Sequence, residues 1–403
     1  MADFFVILGR QPEISLAELN ARASIDTTVL EPLMPDAAFV GNMRDPVSWF
    51  GRFGGLQKIA EVVERLPASA FSQEQLVALV RRSVSENRRF TFGFSAYGSS
   101  IFRRKVEQWA RIVKKTLVAE DRSVRYVKGE RCVLSSVVAQ KQLLDKNGAE
   151  FLFVVAGGEL IIGKTAAGQA FEEFSKRDYG RPGRNARSGM LPPKLARIMV
   201  NLARQPLDAM LLDSFCGSGT VLQEAILLGY YRLTGADVNT RAIQESEENL
   251  AWLARSTGKK ALSRLMHSDI AVLEHSLRSA SIDAIITEPY LGPPATGKEP
   301  HSVLEQRKEE LGALYEKAFR VFANVLKPNG SVVIVFPVLF LRNKPLFFID
   351  LDPILLNGFR LIQPFPPELV PIVQDRLTYR HSLLYHRPGQ HVGREILLFR
   401  NQG

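Results

Sequence analysis

Apolar and polar positions fall into three successive patterns along the chain. The first opens on Phe4-Phe5-Val6-Ile7-Leu8, a short apolar run ended by Gly9, and continues through a mixed segment over 13–80 with an acidic tilt. From about 90 to 170, runs of strand character (Phe90 to Tyr97, Val124 to Val127, Phe151 to Val155, Glu159 to Ile162) alternate with two helical stretches. One of these, around 101–119, places Val106, Trp109, Ile112, Val113 and Thr116 at three-to-four spacing, which predicts an amphipathic helix. Gly157-Gly158 between two apolar runs predicts a hairpin. The stretch from Arg177 to Ala203 opens with turn residues and arginines and closes in an apolar helical pattern, which Pro192 and Pro193 are suited to start. From Met210 onward, strands LLDSF, LTGADV, LMHSDI, IDAIITEPY and VVIVFP alternate with helices that begin at Thr220, Thr240 and about 303, before Leu361-Ile362 and EILLFR close the chain. That rhythm predicts a parallel, doubly wound α/β sheet.

A chain of 403 residues is long enough for two or three domains with cores of their own. The divisions predicted are an α+β domain over 1–85, a small basic α+β module over 86–172, a connector over 173–205 and the doubly wound domain over 206–403. Hydrophobic residues make up 46% of the chain, but no stretch approaches the roughly 20 uncharged apolar residues that cross a bilayer, so a membrane-spanning role is excluded. The first ten residues carry Asp3 and no basic leader, against a secretory signal. Cys132 and Cys216 are too few for a disulfide framework and lack metal-ligand spacing, and a reducing cytoplasm fits them best. No metal site is expected, since His381, His386 and His391 recur at a spacing that suits no usual metal face.

The net charge of +10 is unevenly placed. Residues 81–200 hold 24 basic and 11 acidic side chains, against 28 and 31 in the rest of the chain. Basic charge confined to one segment reads as a patch for a polyanion, because each Lys or Arg near a phosphate releases condensed counterions. The candidates are Arg103, Arg104, Lys105, Arg111, Lys114 and Lys115 on the predicted helix, with Arg181 and Arg184 in the connector. The bland alternative is a solvated helix face.

Chemistry concentrates where predicted strands end. Asp213-Ser-Phe-Cys-Gly-Ser-Gly-Thr220 takes a strand through an acidic residue and a small-residue turn into a helix. Gly217 and Gly219 permit close backbone approach to a ligand, and Phe215, Ser218 and Thr220 complete the turn. No Lys-Ser/Thr pair follows, and the spacing is not that of a dinucleotide fingerprint. The acid instead suits a ligand bearing an ammonium group, such as S-adenosylmethionine. The next strand ends in Asp237-Val238, where a carboxylate can accept from both ribose hydroxyls of a nucleoside. The third ends in Asp269-Ile270, where the acid can accept from an adenine amine and Ile270 or Val238 can pack on the ring; a helix cap is the other reading of Asp269. The fourth ends in Thr287-Glu288-Pro289-Tyr290-Leu291-Gly292. An acid, a proline and an aromatic ring at a sheet mouth match what methylation of an exocyclic amine on a base requires, since acceptors draw on the N–H groups and the ring stacks on the base.

Taken together, RDYGRPGRNARSGMLPPKLARIMVNLA, DSFCGSGTV and YHRPGQHVGREILLF resemble the THUMP-containing tRNA guanosine methyltransferases, which modify the 2-amino group of guanosine at tRNA position ten. The resemblance implies an N-terminal ferredoxin-like domain, a THUMP RNA-binding domain and a Rossmann-like class I methyltransferase domain using S-adenosylmethionine. It puts Asp213, Phe215, Gly217, Gly219 and Thr220 on the cofactor loop, Asp237 on the ribose and Asp269 on the adenine. The family's TDPPYG reads TEPYLG here, so Glu288 falls on the acid and Pro289 on the first proline. Leu291 falls on the aromatic, which Tyr290 can supply after a one-residue shift. Some relatives work with a small zinc-binding partner protein; otherwise a monomer is implied. The expected function is methylation of a guanosine 2-amino group in tRNA. Methylation of an adenine 6-amino group in RNA or DNA, and a nonenzymatic RNA-binding role, remain as alternatives.

Overall fold

β-Branched and aromatic runs at the N-terminus build one continuous eight-stranded sheet. The computed structural model describes residues 3–26, 28–84, 89–184, 190–342 and 344–403. Its first compact unit comprises 1–12, 26–52 and 56–172, and its second 13–25, 53–55 and 173–403. In the first, the strands are β1 (Phe4–Leu8), β2 (Val29–Met34), β3 (Ala37–Gly41), β4 (Leu56–Pro67), β5 (Phe90–Tyr97), β6 (Val124–Val127), β7 (Gly148–Ala156) and β8 (Glu159–Gly168). They lie in the order β2-β3-β1-β4-β8-β7-β5-β6. Strands from 1–85 and from 86–172 thus share one sheet, and the division expected between those segments does not divide it. Residues 13–25, expected in the N-terminal domain, group with the second unit.

Gly157 and Gly158, with φ of 56° and 83°, make the two-residue turn that joins antiparallel β7 and β8. The helix Ser100–Ala119 buries Phe102, Val106, Ala110, Val113 and Leu117 against the sheet. Ile112, expected on the apolar stripe, is exposed instead. The stripe is turned because Phe102 packs on Phe71 and Phe153, which leaves Ile112 on the face that carries the cations.

The second unit holds β9 (Met210–Asp213), β10 (Arg232–Asp237), β11 (Leu262–His267), β12 (Ile282–Thr287), β13 (Leu326–Leu341), β14 (Lys344–Phe347), β15 (Phe359–Ile362), β16 (Leu383–Tyr385) and β17 (Val392–Asn401). The main order is β11-β10-β9-β12-β13-β17-β15, with β14 on β13 and β16 on β17. From β11 to β13 every pairing is parallel, while β17 runs antiparallel to β13 and β15. The sheet is therefore mostly parallel, as the alternation predicted, with an antiparallel edge. Helix His301–Val325 supplies Tyr315, Ala318, Phe319 and Phe322 to a core completed by Phe336, Phe359 and Phe399. Strand order reverses beside β9, the switch point of a doubly wound sheet, where ligands bind beyond the strand ends.

Candidate functional site

The turn after β9 is built by its own polar groups. Asp213 is 2% exposed, and its Oδ1 accepts from the Thr287 hydroxyl at 2.7 Å and from the Phe215 N–H at 3.4 Å. This ties the end of β9 to the end of β12. Burial pushes the Asp213 carboxyl up to about 7. Gly217 and Gly219 have φ of 50° and 79°, a region that disfavours any side chain. A Cβ at Gly219 would lie 2.8 Å from the Ser246 hydroxyl, whereas one at Gly217 would project into open space. Helix Thr240–Thr257 holds the turn from behind: Ser246 donates to the Gly217 carbonyl at 2.9 Å and Asn249 to that of Ser218 at 2.8 Å.

Asp237, half-buried at the end of β10, accepts from the Gly217 N–H through Oδ2 and from the Asn239 N–H through Oδ1, each at 2.9 Å. Backbone donors thus fix both carboxylate oxygens in place and leave lone pairs for a ligand.

These groups open on one cavity of about 1010 Å³. Asp213, Phe215, Gly217, Ser218, Thr220, Asp237 and Val238 line one side, and Glu288, Pro289 and Tyr290 line the other, with Leu291 beside them. Three predicted residues fall elsewhere. Gly219 is not on the lining and packs toward Ser246. Asp269 is exposed, and its side chain caps the short helical turn after it by accepting from the Ala271 N–H at 2.7 Å. Ile270 is buried in the core with Leu273, so packing there takes the side chain that was expected on a ligand ring.

Glu288 has a partner that motif reading did not find. Arg394 on β17 donates from Nε to Oε2 at 2.5 Å and from Nη2 to Oε1 at 3.2 Å. Burial raises the Glu288 pKa, and the Arg394 charge pulls it part of the way back. The loop before β17 adds Gly389, Gln390, His391 and Val392 to the cavity wall. A signal for Arg394 was present in the sequence, for an Arg-Glu pair heading the apolar run ILLF needs buried partners for both charges. Which acid would meet it was not readable, because 106 residues separate the pair.

The basic candidates divide. Arg104, Lys105, Arg111, Lys114 and Lys115 are exposed on helix Ser100–Ala119, and Lys105 lies over the Trp109 ring at 5.2 Å. Arg103 is half-buried and donates to the Ala96 carbonyl at 3.2 Å. Arg184 is exposed and stacks on Tyr179 at 5.0 Å. Arg181 is not on the surface as expected: it is 3% exposed and donates to the Thr220 hydroxyl at 2.7 Å, so it faces the glycine turn from inside and offers no surface to a polyanion. The connector residues 185–189 lie outside the described residues.

Residues 181–339 match the UPF0020 family, RMKL-like, methyltransferase domain. Over 149 residues the chain is 32% identical to tRNA (guanine(10)-N2)-dimethyltransferase of Methanocaldococcus jannaschii, an alignment covering 37% of this chain and 38% of that protein. Over 189 residues it is 29% identical to the protein of the same name from Pyrococcus abyssi, covering 46% and 50%. The chain thus spans half or less of the length of these curated relatives. The crystal structure of TrmN from Thermus thermophilus aligns over 100% of both chains with a TM-score of 0.54 at 16% identity, which shows a shared fold. The second unit has the Rossmann-like methyltransferase fold.

Proposed function

We propose, from the premise that residues 181–339 form a methyltransferase domain of the UPF0020 family, that the chain methylates the exocyclic 2-amino group of a guanosine in tRNA, with position ten as the site. The observation that carries this reading is that one cavity is lined both by the 213–220 turn with Asp237 and by the 288–292 loop with Glu288. The names of the relatives support the choice of guanosine and of tRNA. Methylation of an adenine 6-amino group would use the same acid-proline-aromatic wall, and nucleoside analysis separates the two.

The residues present fit S-adenosylmethionine. Gly217 leaves open the space a Cβ would fill, Asp237 presents a fixed carboxylate to a ribose, and Asp213 lies where an ammonium group would neutralise a buried acid. When bound, the cofactor supplies an electrophilic methyl on a sulfonium. The chain's own part is to seat and activate the base. Tyr290, 60% exposed at the cavity rim, offers a face for stacking. Glu288, held by Arg394, accepts an N–H of the 2-amino group, localises the nitrogen lone pair for in-line attack and takes up the proton the nitrogen loses. Raised by burial, its pKa suits that acceptance better than an exposed carboxylate's would. A nucleotide must leave its stack to reach this wall, at a cost of a few kcal/mol offset by contacts elsewhere.

The exposed cations of helix Ser100–Ala119 meet the tRNA backbone, and the first unit, whose one sheet joins the expected ferredoxin-like and THUMP segments, acts as the RNA-binding part. RNA shape dominates over base readout in such binding. With Cys132 and Cys216 as buried free thiols, we read the enzyme as cytoplasmic. The test is transfer of labelled methyl from S-adenosylmethionine to tRNA by the purified chain, followed by mass spectrometry of the nucleosides. N2-methylguanosine or its dimethyl form is expected. Methyl-adenosine product would replace the guanosine reading, and no transfer even with tRNA retained would leave a nonenzymatic RNA binder. Turnover by the chain alone shows that no partner protein is needed, with its mass in solution deciding whether it works as a monomer; turnover only on adding a small zinc-binding protein shows a required partner.

A further inference from the structure

Arg181 is a buried cation beside the glycine turn. It is 3% exposed, yet it forms no ion pair among the described residues and its Nε has no hydrogen-bond partner there. Its hydrogen-bond partners are neutral: Nη1 donates to the Thr220 hydroxyl at 2.7 Å, and Nη2 lies 3.1 Å from the Met190 sulfur. Burial pushes its pKa down. Nearby arginines are treated differently. Arg177 and Arg197 both close on the Glu224 carboxylate, and Arg241 pairs with Glu245. Asp178, Glu224 and Glu245 act on its charge from a distance, but none of them forms an ion pair with it among the described residues, so the guanidinium keeps hydrogen-bonding capacity for an anion from outside.

Both contacts of Arg181 lead to the cavity, since Thr220 and Met190 line it. Thr220 is also the first residue of the nine-residue helix Thr220–Leu228, whose N-cap, Gly219, supplies no side-chain hydrogen bond. The first amides of that helix are therefore uncapped, at the positive end of its dipole. An uncapped helix start and an unpaired buried guanidinium converge on one hydroxyl at the cavity wall. Of the acids that line the same cavity, Glu245 pairs with Arg241 and Glu288 with Arg394, while Asp213 and Asp237, at the ends of β9 and β10, suit the cationic and ribose parts of a ligand.

We infer that Arg181 is a positioning residue for the α-carboxylate of the cofactor's amino acid end, which it attracts to the start of helix Thr220–Leu228 through the Thr220 hydroxyl. This rests on the S-adenosylmethionine reading above. It also accounts for an arginine drawn away from the RNA-binding surface: its charge serves the methyl donor and not the methyl acceptor. Held at its carboxylate and its ribose, the cofactor has little freedom left at the sulfonium between them.

The experiment measures binding of S-adenosylmethionine and of decarboxylated S-adenosylmethionine, which keeps the sulfonium and the ammonium and lacks only the carboxylate. The wild-type protein is expected to prefer the intact cofactor by about tenfold to a hundredfold, the range of a charge-assisted hydrogen bond. Arg181→Met should reduce that preference to near unity while changing the affinity for the decarboxylated ligand little, and Arg181→Lys should restore part of it. Thr220→Val, which keeps the arginine, should lose a smaller share of the same preference. Equal losses for both ligands, or an unchanged preference in Arg181→Met, would show a purely structural arginine and overturn the inference alone. Failure of the wild-type protein to bind S-adenosylmethionine would overturn the cofactor reading and the inference with it.

Discussion

Two buried carboxylates, one in each unit, put the same charge to different uses. Glu150 on β7 has no exposed surface, and its partners come from three other strands of the first sheet. Lys58 on β4 and Ser95 on β5 donate to Oε1, the latter at 2.6 Å, and Thr165 on β8 donates to Oε2 at 2.9 Å. Lys58 also donates to the Leu134 carbonyl at 2.7 Å, while the Leu134 N–H donates to Ser95 at 2.8 Å. Protein groups surround this carboxylate on every side. Glu288 accepts from Arg394 alone among the described residues and lines the cavity with acceptor capacity left over. A closed network fixes the register of four adjacent strands. One left open toward a cavity can receive a substrate.

The strongest attempt to break that contrast is a pair of substitutions read by turnover. Glu288→Gln should lower methyl transfer to tRNA by about 10²–10⁴-fold, the usual worth of a general base, while tRNA retention on a filter is unchanged. Full turnover in that variant would remove Glu288 from the mechanism.

The complementary break is at Lys58. Lys58→Met leaves Glu150 charged and unpaired, so it should destabilise the protein by about 3–5 kcal/mol in denaturant unfolding. Adding Glu150→Leu should recover most of that loss, because a well-packed apolar pair is often as stable as the ion pair it replaces. If the double variant is no better than the single one, the network contributes more than charge compensation.

What could be read in advance follows the same division between local and distant partners. The strands Phe90–Tyr97 and Val124–Val127 and the start of the helix at Thr220 were legible because their signals are local: alternating or continuous apolar residues, a glycine turn and a helix start. The glycine turn and the acids at 213, 237 and 288 reached one cavity for the same reason, since the ends of β9, β10 and β12 share an edge in any sheet of this winding. Asp269 shows the limit. Its sequence pattern resembles that of Asp213, but β11 is the edge strand and ends two residues earlier at His267, so the acid faces water and caps the next turn. Arg181 and Arg394 show another, because composition counts charges and cannot say which of them turn inward. Both became legible only when long-range packing set a hydroxyl or a carboxylate beside them.

Asp213 extends the comparison to pH. Its folded pKa of about 7 stands above the ordinary 3.8, so the folded protein holds a proton that the unfolded chain releases. The stability this group contributes is full below about pH 4 and is lost as pH rises through 7. Asp213→Asn should therefore gain stability relative to wild type across that window, measured as the difference in urea midpoint. A cationic ligand beside the acid reverses the preference. Binding of S-adenosylmethionine should release a proton, so affinity rises with pH up to about 7, by at most tenfold per unit, and the dependence should vanish in Asp213→Asn. A flat profile in the wild type would show that the ammonium lies elsewhere.

The smallest effects are expected where charge is fully solvated. Arg104, Lys105, Lys114 and Lys115 form no closed network, and reversing them to Glu should leave the unfolding midpoint within about 0.5 kcal/mol of wild type per site. Their role is collective and visible only against phosphate. Each lost contact should reduce the slope of log affinity for tRNA against log salt by about 0.7–0.9, so the fourfold variant binds more weakly at low salt and converges on the wild type as salt rises. Arg181→Gln supplies the control, since an arginine enclosed behind Thr220 should leave that slope unchanged. A lowered slope in Arg181→Gln would mean that this guanidinium reaches RNA after all, and the line drawn between enclosed and solvated charge would have to move.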